Sequence, residues 1–145
     1  MRKDIKKIAA YYRRKFETSD PFQIAKELHI ELAIGDIGSR AGCYMYLKKH
    51  KCIFLNENLE ESEIRFVIAH ELGHAILHPR QNCYFIRSKT LLSAAKIEVE
   101  ANLFAAELLI SDQTIAENQC LTLQQLSRLL GYSEAILEMK VQRTL

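Results

Sequence analysis

The sequence of 145 residues predicts an α+β fold: two N-terminal helices, a small three-stranded sheet, two apolar helices and a helical C-terminal section. Three observations support this fold class. Apolar residues recur at helical spacing up to residue 29 and again from residue 63 onwards, they alternate with polar residues over 30–56, and glycine and proline separate the segments. We expect one domain over 1–110, with 111–145 as a helical extension packed on it.

Both N-terminal helices are predicted from apolar spacing and from helix start signals. Asp4–Phe16 has apolar residues on one helical face and Lys and Arg residues between them. Asp20 and Pro21 are typical of a helix start, because the aspartate caps the first turn and the proline fits it. This second helix is expected to end near His29.

The segment Ile30–Asn56 changes to the alternating pattern that is typical of strands. It predicts three strands, of which the last two form a hairpin around Lys48–Lys51. A free edge at Gly42–Leu47 or Cys52–Asn56 could bind an extended peptide by strand pairing. The alternative is a sheet that only covers the core.

The helix predicted over Glu63–His78 contains the motif HELGH. Residues four apart on a helix lie one turn above each other, so His70 and His74 can bind one zinc ion. Glu71 lies beside this pair and can act as the base for a water molecule whose pKa the metal lowers. A chance match is the alternative, but the apolar flanks predict a buried helix, where a glutamate needs a partner. We therefore predict a metal site for zinc, although imidazole and carboxylate also suit manganese or iron.

A third ligand is expected on a second apolar helix, predicted over Lys96–Ile110, because a catalytic zinc ion usually has three protein ligands. Two acidic residues lie near the start of this helix. Glu98 shares a face with Asn102, whose amide could hydrogen-bond a ligating histidine from behind. Glu100 points to another side. We predict Glu98 as the ligand and expect Glu100 to be solvated or paired with Lys96.

The end of the first apolar helix and the segment after it provide two further candidates. His78 lies about 12 Å along the helix axis from His70, too far to bind the same ion. We expect it either to line the cleft, where it could hydrogen-bond an oxyanion, or only to cap the helix. Arg80–Ala94 is irregular and is expected to be a loop over the cleft. Tyr84 in this loop could offer its phenol to a tetrahedral intermediate, but a packing role is favoured.

The two motifs HELGHAILH and EVEANLFAAELL together resemble the ImmA/IrrE family of metallopeptidases. Members of that family carry H-E-x-x-H followed by E-x-x-A-N-x-F-A-A-x-L-L, and the similarity covers Asp20 to Ile110. The resemblance implies a gluzincin-like zinc peptidase fold, with His70, His74 and Glu98 matching the zinc ligands and Glu71 matching the general base.

The same resemblance implies an endopeptidase that cleaves and inactivates a cognate helix-turn-helix repressor and is encoded in phages or mobile elements. The chain departs from the family at Ile110-Ser111, where many members have Met-Pro. The alternative function is a regulator that binds its repressor partner without cutting it and keeps the metal site for shape or sensing. Glu71 argues against this alternative, because a structural metal site has no use for such a base.

The C-terminal segment 111–145 contains short helical patterns joined through Gly131, which suggests a helix-turn-helix. Glu134 and Glu138 would oppose contact with phosphate groups, so a packing or repressor-docking role is favoured over direct DNA binding.

The composition sets limits on the class of protein. A net charge of +2 is too small to indicate a protein that binds nucleic acids or membrane surfaces. We expect no membrane association and a cytoplasmic location, because no signal peptide or long apolar run is present. The four cysteines form no C-x-x-C motif and are expected to be reduced thiols.

Overall fold

The computed structural model describes residues 3–86 and 95–144, and the side chains at 83–86 and 144 lie outside the description. The predicted α+β class is confirmed. In chain order the elements are α1 (Ile5–Phe16), α2 (Pro21–Glu27), β1 (Glu31–Gly35), β2 (Arg40–Leu47), β3 (His50–Asn56), α3 (Glu61–Leu77), β4 (Cys83–Ile86), α4 (Lys96–Leu109), α5 (Asp112–Glu117), α6 (Leu123–Leu130) and α7 (Glu134–Thr144).

Side-chain caps define where the two N-terminal helices begin. The Asp4 carboxylate accepts a hydrogen bond from the backbone N–H of Lys7 at 3.1 Å, and the Asp20 carboxylate accepts one from Phe22 at 3.0 Å. The predicted helix start at Asp20 and Pro21 is confirmed. Because α1 packs against α4, the N-terminal segment supports the helix that carries Glu98.

The four strands of the described chain form one sheet in the order β1-β3-β2-β4. β1 runs parallel to β3, whereas β2 is antiparallel to both β3 and β4. The hairpin of β2 and β3 is confirmed. Its turn residues Lys48 and Lys49 have positive φ angles of 49° and 67°, which match the twist of a tight hairpin.

The sheet differs from the prediction in two respects. β4 adds a fourth strand where irregular sequence predicted a loop, because a strand of four residues is too short to show alternation and is stabilised by pairing with β2. The idea of a free edge is contradicted for Cys52–Asn56, which pairs with β1, and for Gly42–Tyr44, which pairs with β4. Within the described sheet, the strands at the edges are β1 and β4.

α3 is the central helix, packed against α2, α4 and the sheet. Every residue from Phe66 to Ala75 is buried. This position explains why its apolar residues surround the helix instead of forming one stripe. The two histidines and the glutamate of the motif therefore lie in the interior of the protein.

The C-terminal section packs on the same core through Ile115, Leu126, Ile136 and Leu137. α7 contacts α4, α5 and α6, so this section also supports the helix that carries Glu98. A domain boundary at residue 110 stays a prediction. Within residues 3–86 and 95–144, no helix has both the length and the apolar character that crossing a bilayer requires.

Candidate metal centre

Two histidines of α3 face the same point. His70 and His74 lie one helical turn apart, and both side chains are fully buried. Their Nε2 atoms are 3.1 Å apart. The four-residue spacing on a helix produces this arrangement directly.

Glu98, in the first turn of α4, completes a group of three side chains. Its Oε2 atom lies 3.1 Å from His70 Nε2, and its Oε1 atom lies 3.1 Å from His74 Nε2. Among the described residues, this is the group of histidine, cysteine and acidic side chains that could hold a metal ion. The structure thus brings together the three residues that the sequence analysis selects as ligands.

The close approach of α3 and α4 depends on Gly73, which lies between the two histidines. A Cβ atom at this position would lie 3.2 Å from Phe104 Cδ1 and 3.3 Å from both the Cα atom and the carbonyl oxygen of Ala101. The backbone of Ala101 cannot rotate away as a side chain can, so a larger residue at position 73 would push α3 and α4 apart. Gly73 therefore allows Glu98 to reach the histidines. The H-E-x-x-H pattern leaves this position unspecified, so sequence reasoning missed it.

The donor set and its spacing fit a zinc ion. The amide oxygen of Asn102 lies 2.8 Å from His70 Nδ1, so a neutral ring donates from Nδ1 and directs the lone pair of Nε2 into the group. Two ligands of one tetrahedral zinc ion are about 3.3 Å apart when each bond is about 2.0–2.1 Å long. The observed separations of 3.1 Å are close to this value. Asn102 occupies the position behind a ligand that the sequence analysis expects.

The pKa values in the group of His70, His74 and Glu98 also favour the binding of a metal cation. Burial by itself would raise the pKa of Glu98, but the adjacent rings of His70 and His74 outweigh this effect and hold the pKa at about 2. Burial lowers the pKa of His74, and the nearby carboxylate of Glu98 opposes this effect. A carboxylate with so low a pKa is ionised at neutral pH, which is the form in which it binds a divalent metal.

Glu71 is buried next to this group. Neither of its carboxylate oxygens has a hydrogen-bond partner within the part of the chain that the structure describes. Burial raises the pKa of Glu71 well above its ordinary value, and the negative charge of Glu98 raises it further. β2 packs closely here, since a Cβ atom on Gly42 would lie 2.8 Å from Val67 Cγ1 and 3.4 Å from Glu71 Cγ. A buried carboxyl group in this position is a candidate for proton transfer.

His78 lies behind His74 and uses both ring nitrogens there. Its Nδ1 atom is 3.0 Å from His74 Nδ1, and its Nε2 atom is 2.8 Å from Glu100 Oε1. Because both ring nitrogens of His78 have these partners, the expectation that His78 hydrogen-bonds an oxyanion is not supported. The expectation that Glu100 is solvated or paired with Lys96 is wrong, because the Glu100 side chain is only 11% exposed and is paired with His78. The sequence held a signal for the contact between His78 and His74, since the two residues repeat the four-residue spacing of His70 and His74.

Tyr84 lies in β4, where its backbone pairs with that of Cys43. Its side chain lies outside the described residues, so a role for the phenol stays a prediction. The rest of the expected loop, residues 87–94, also lies outside the described part of the chain.

Comparison with known proteins agrees with the resemblance carried by the two motifs. The family model of the IrrE N-terminal-like domain, a peptidase family, matches residues 25–142. The chain is 43% identical over 105 residues to "Uncharacterized immunity region protein 2" of Bacillus phage phi105, covering 72% of this chain and 66% of that protein. It is 34% identical over 102 residues to "Metallopeptidase ImmA" of Bacillus subtilis (strain 168), covering 69% of this chain and 59% of that protein.

The chain spans about three fifths to two thirds of the length of these two relatives. The family match extends through the described metal group and into α7. The chain belongs to the peptidase family of the IrrE N-terminal-like domain.

Proposed function

We propose that this chain is a zinc-dependent endopeptidase. The observation that carries the proposal is the buried carboxyl group of Glu71, unpartnered among the described residues and adjacent to three converging ligand atoms. Two histidines and one glutamate are the protein ligands of catalytic zinc in one class of metalloproteases. The Bacillus subtilis relative, named a metallopeptidase, supports the same activity.

In the proposed reaction, His70, His74 and Glu98 hold the metal and Glu71 moves the proton. A zinc ion bound there would supply Lewis acidity for the scissile carbonyl and would lower the pKa of the attacking water. Glu71 takes a proton from this water as the water oxygen bonds to the scissile carbonyl carbon, and it delivers the proton to the leaving amine as the peptide C–N bond breaks. Its burial suits this role, because burial raises the pKa of Glu71 and so makes its carboxylate a stronger base for the proton.

The proposed substrate is a helix-turn-helix transcriptional repressor, which cleavage would inactivate in the cytoplasm. The phage relative supports this substrate class, since its name assigns it to an immunity region. An extended segment of the repressor could pair with an edge of the described sheet, at β1 or β4. Direct contact with DNA is not proposed, because Glu134 and Glu138 are both exposed on α7 and would repel phosphate groups.

Incubation of the purified protein with the repressor encoded next to its own gene tests the proposal. We expect repressor fragments that mass spectrometry can identify, no cleavage in the presence of a chelator, and recovery when zinc is added back. An unrelated helix-turn-helix protein, expected to stay intact, is the control for specificity. Cleavage that continues without metal would contradict the metal requirement. A bound but intact repressor in every condition would favour the regulator that does not cut.

A further inference from the structure

The two histidines of the metal group have different partners behind their rings. His70 Nδ1 faces the neutral amide of Asn102 at 2.8 Å. His74 Nδ1 faces His78 Nδ1 at 3.0 Å, and His78 Nε2 faces the carboxylate of Glu100 at 2.8 Å. One ring is therefore supported by a neutral group, whereas the other is connected to a negative charge through a second imidazole.

We propose that Glu100 and His78 are positioning residues that fix the tautomer of His74 and strengthen its Nε2 atom as a metal ligand. The inference rests on the metal site of the proposed function and adds two residues to it. Neither residue lies within the three-ligand group itself, so both act through His74.

The carboxylate of Glu100 determines the direction of the hydrogen bonds that link Glu100, His78 and His74. A carboxylate accepts hydrogen bonds only, so His78 Nε2–H donates to Glu100. A neutral His78 then has an unprotonated Nδ1, which accepts a hydrogen bond from His74 Nδ1–H. His74 is left with its lone pair on Nε2, the nitrogen that lies 3.1 Å from Glu98 Oε1. The chain of contacts thus selects the tautomer that metal binding requires.

The surroundings hold this chain of contacts in one arrangement. His74 is fully buried and the His78 side chain is 3% exposed, so water has little access to their shared hydrogen bond. Lys3 lies at the outer end, with its Nζ atom 3.7 Å from Glu100 Oε1 and 3.2 Å from the carbonyl oxygen of Leu77. This contact places Glu100 at the junction between α4 and the end of α3.

Metal affinity of variants tests the inference without any peptidase assay. Loss of a partner behind a ligating histidine typically weakens metal binding about 10–100-fold. We expect His78→Ala and Glu100→Gln to weaken zinc binding, measured by competition with a chromophoric chelator, by about this factor. His78→Asn should lie closer to the unaltered protein, because its side-chain oxygen can still accept the proton of His74. The absorption spectrum of the cobalt(II)-loaded protein should shift in His78→Ala and Glu100→Gln, since it reports on the ligands.

Glu107→Gln is the matched control, because Glu107 is also a buried, ion-paired glutamate of α4 but contacts Lys140. It should lower thermal stability and leave zinc affinity and the cobalt spectrum unchanged. If Glu100→Gln behaves in the same way as Glu107→Gln, the positioning role is overturned while the metal site stands. If the unaltered protein itself fails to bind zinc or cobalt, the proposed function is overturned together with this inference.

Discussion

Replacement of Glu71 by glutamine is expected to lower the rate of peptide cleavage by orders of magnitude while zinc stays bound. Glutamine keeps the shape of the side chain but cannot take a proton from the attacking water. Proton transfer by a positioned side chain typically contributes 10²–10⁴-fold to a rate, so we expect a loss of about this size in kcat. Zinc affinity should change little, because Glu71 lies outside the group of ligand atoms.

Cleavage rates and bound zinc are measured on the same preparation to separate the two effects. Glu61→Gln is the control, since Glu61 is an exposed glutamate in the first turn of the same helix. It should leave both quantities unchanged. Release of the repressor by Glu71→Gln at the normal rate would contradict the catalytic role and favour a regulator that works by binding.

Replacement of Lys140 by methionine is expected to lower the free energy of unfolding by about 3–5 kcal/mol. Lys140 Nζ donates to Glu107 Oε2 at 3.0 Å and to Asp112 Oδ1 at 2.6 Å. The side chains of Lys140 and Glu107 are each 1% exposed. Among the residues that the structure describes, removal of the ammonium group leaves the buried Glu107 charge with the more distant Arg143, whose Nε atom is 3.6 Å from Glu107 Oε1.

Urea denaturation of the metal-free protein measures this effect. Lys26→Met is the control, because Lys26 is an exposed residue of α2. The double variant Lys140→Met with Glu107→Leu should recover much of the lost stability, since an apolar pair needs no charge compensation. Equal stability of Lys140→Met and Lys26→Met would show that the buried ion pair does not hold α7 on α4.

The ligands of α3 could be predicted from sequence because their geometry is local. The turn of a helix alone places His70 above His74, whatever the rest of the chain does. The prediction of Glu98 as a ligand also required a comparison of helical faces and the resemblance of the second motif to a known family. The predicted helix start, with Asp20 as the cap and Pro21 in the first turn, is confirmed for the same reason, since a cap depends on neighbours in the chain.

Contacts between distant segments could not be predicted in this way. β4 exists because β2 lies beside it, and its four residues have no periodic pattern of their own. Helical geometry correctly turns Glu100 away from Glu98, but it cannot show that the end of α3 lies there to receive it. The pairing of Lys140 with Glu107 likewise depends on how α7 packs on α4.

The metal centre is most directly tested by diffraction data collected on both sides of the zinc absorption edge from crystals of the zinc-loaded protein. We expect one anomalous peak, about 2.0–2.2 Å from the Nε2 atoms of His70 and His74 and from a carboxylate oxygen of Glu98. A peak bound by other residues, or no peak at these three side chains after zinc loading, would contradict the metal centre and the peptidase function built on it.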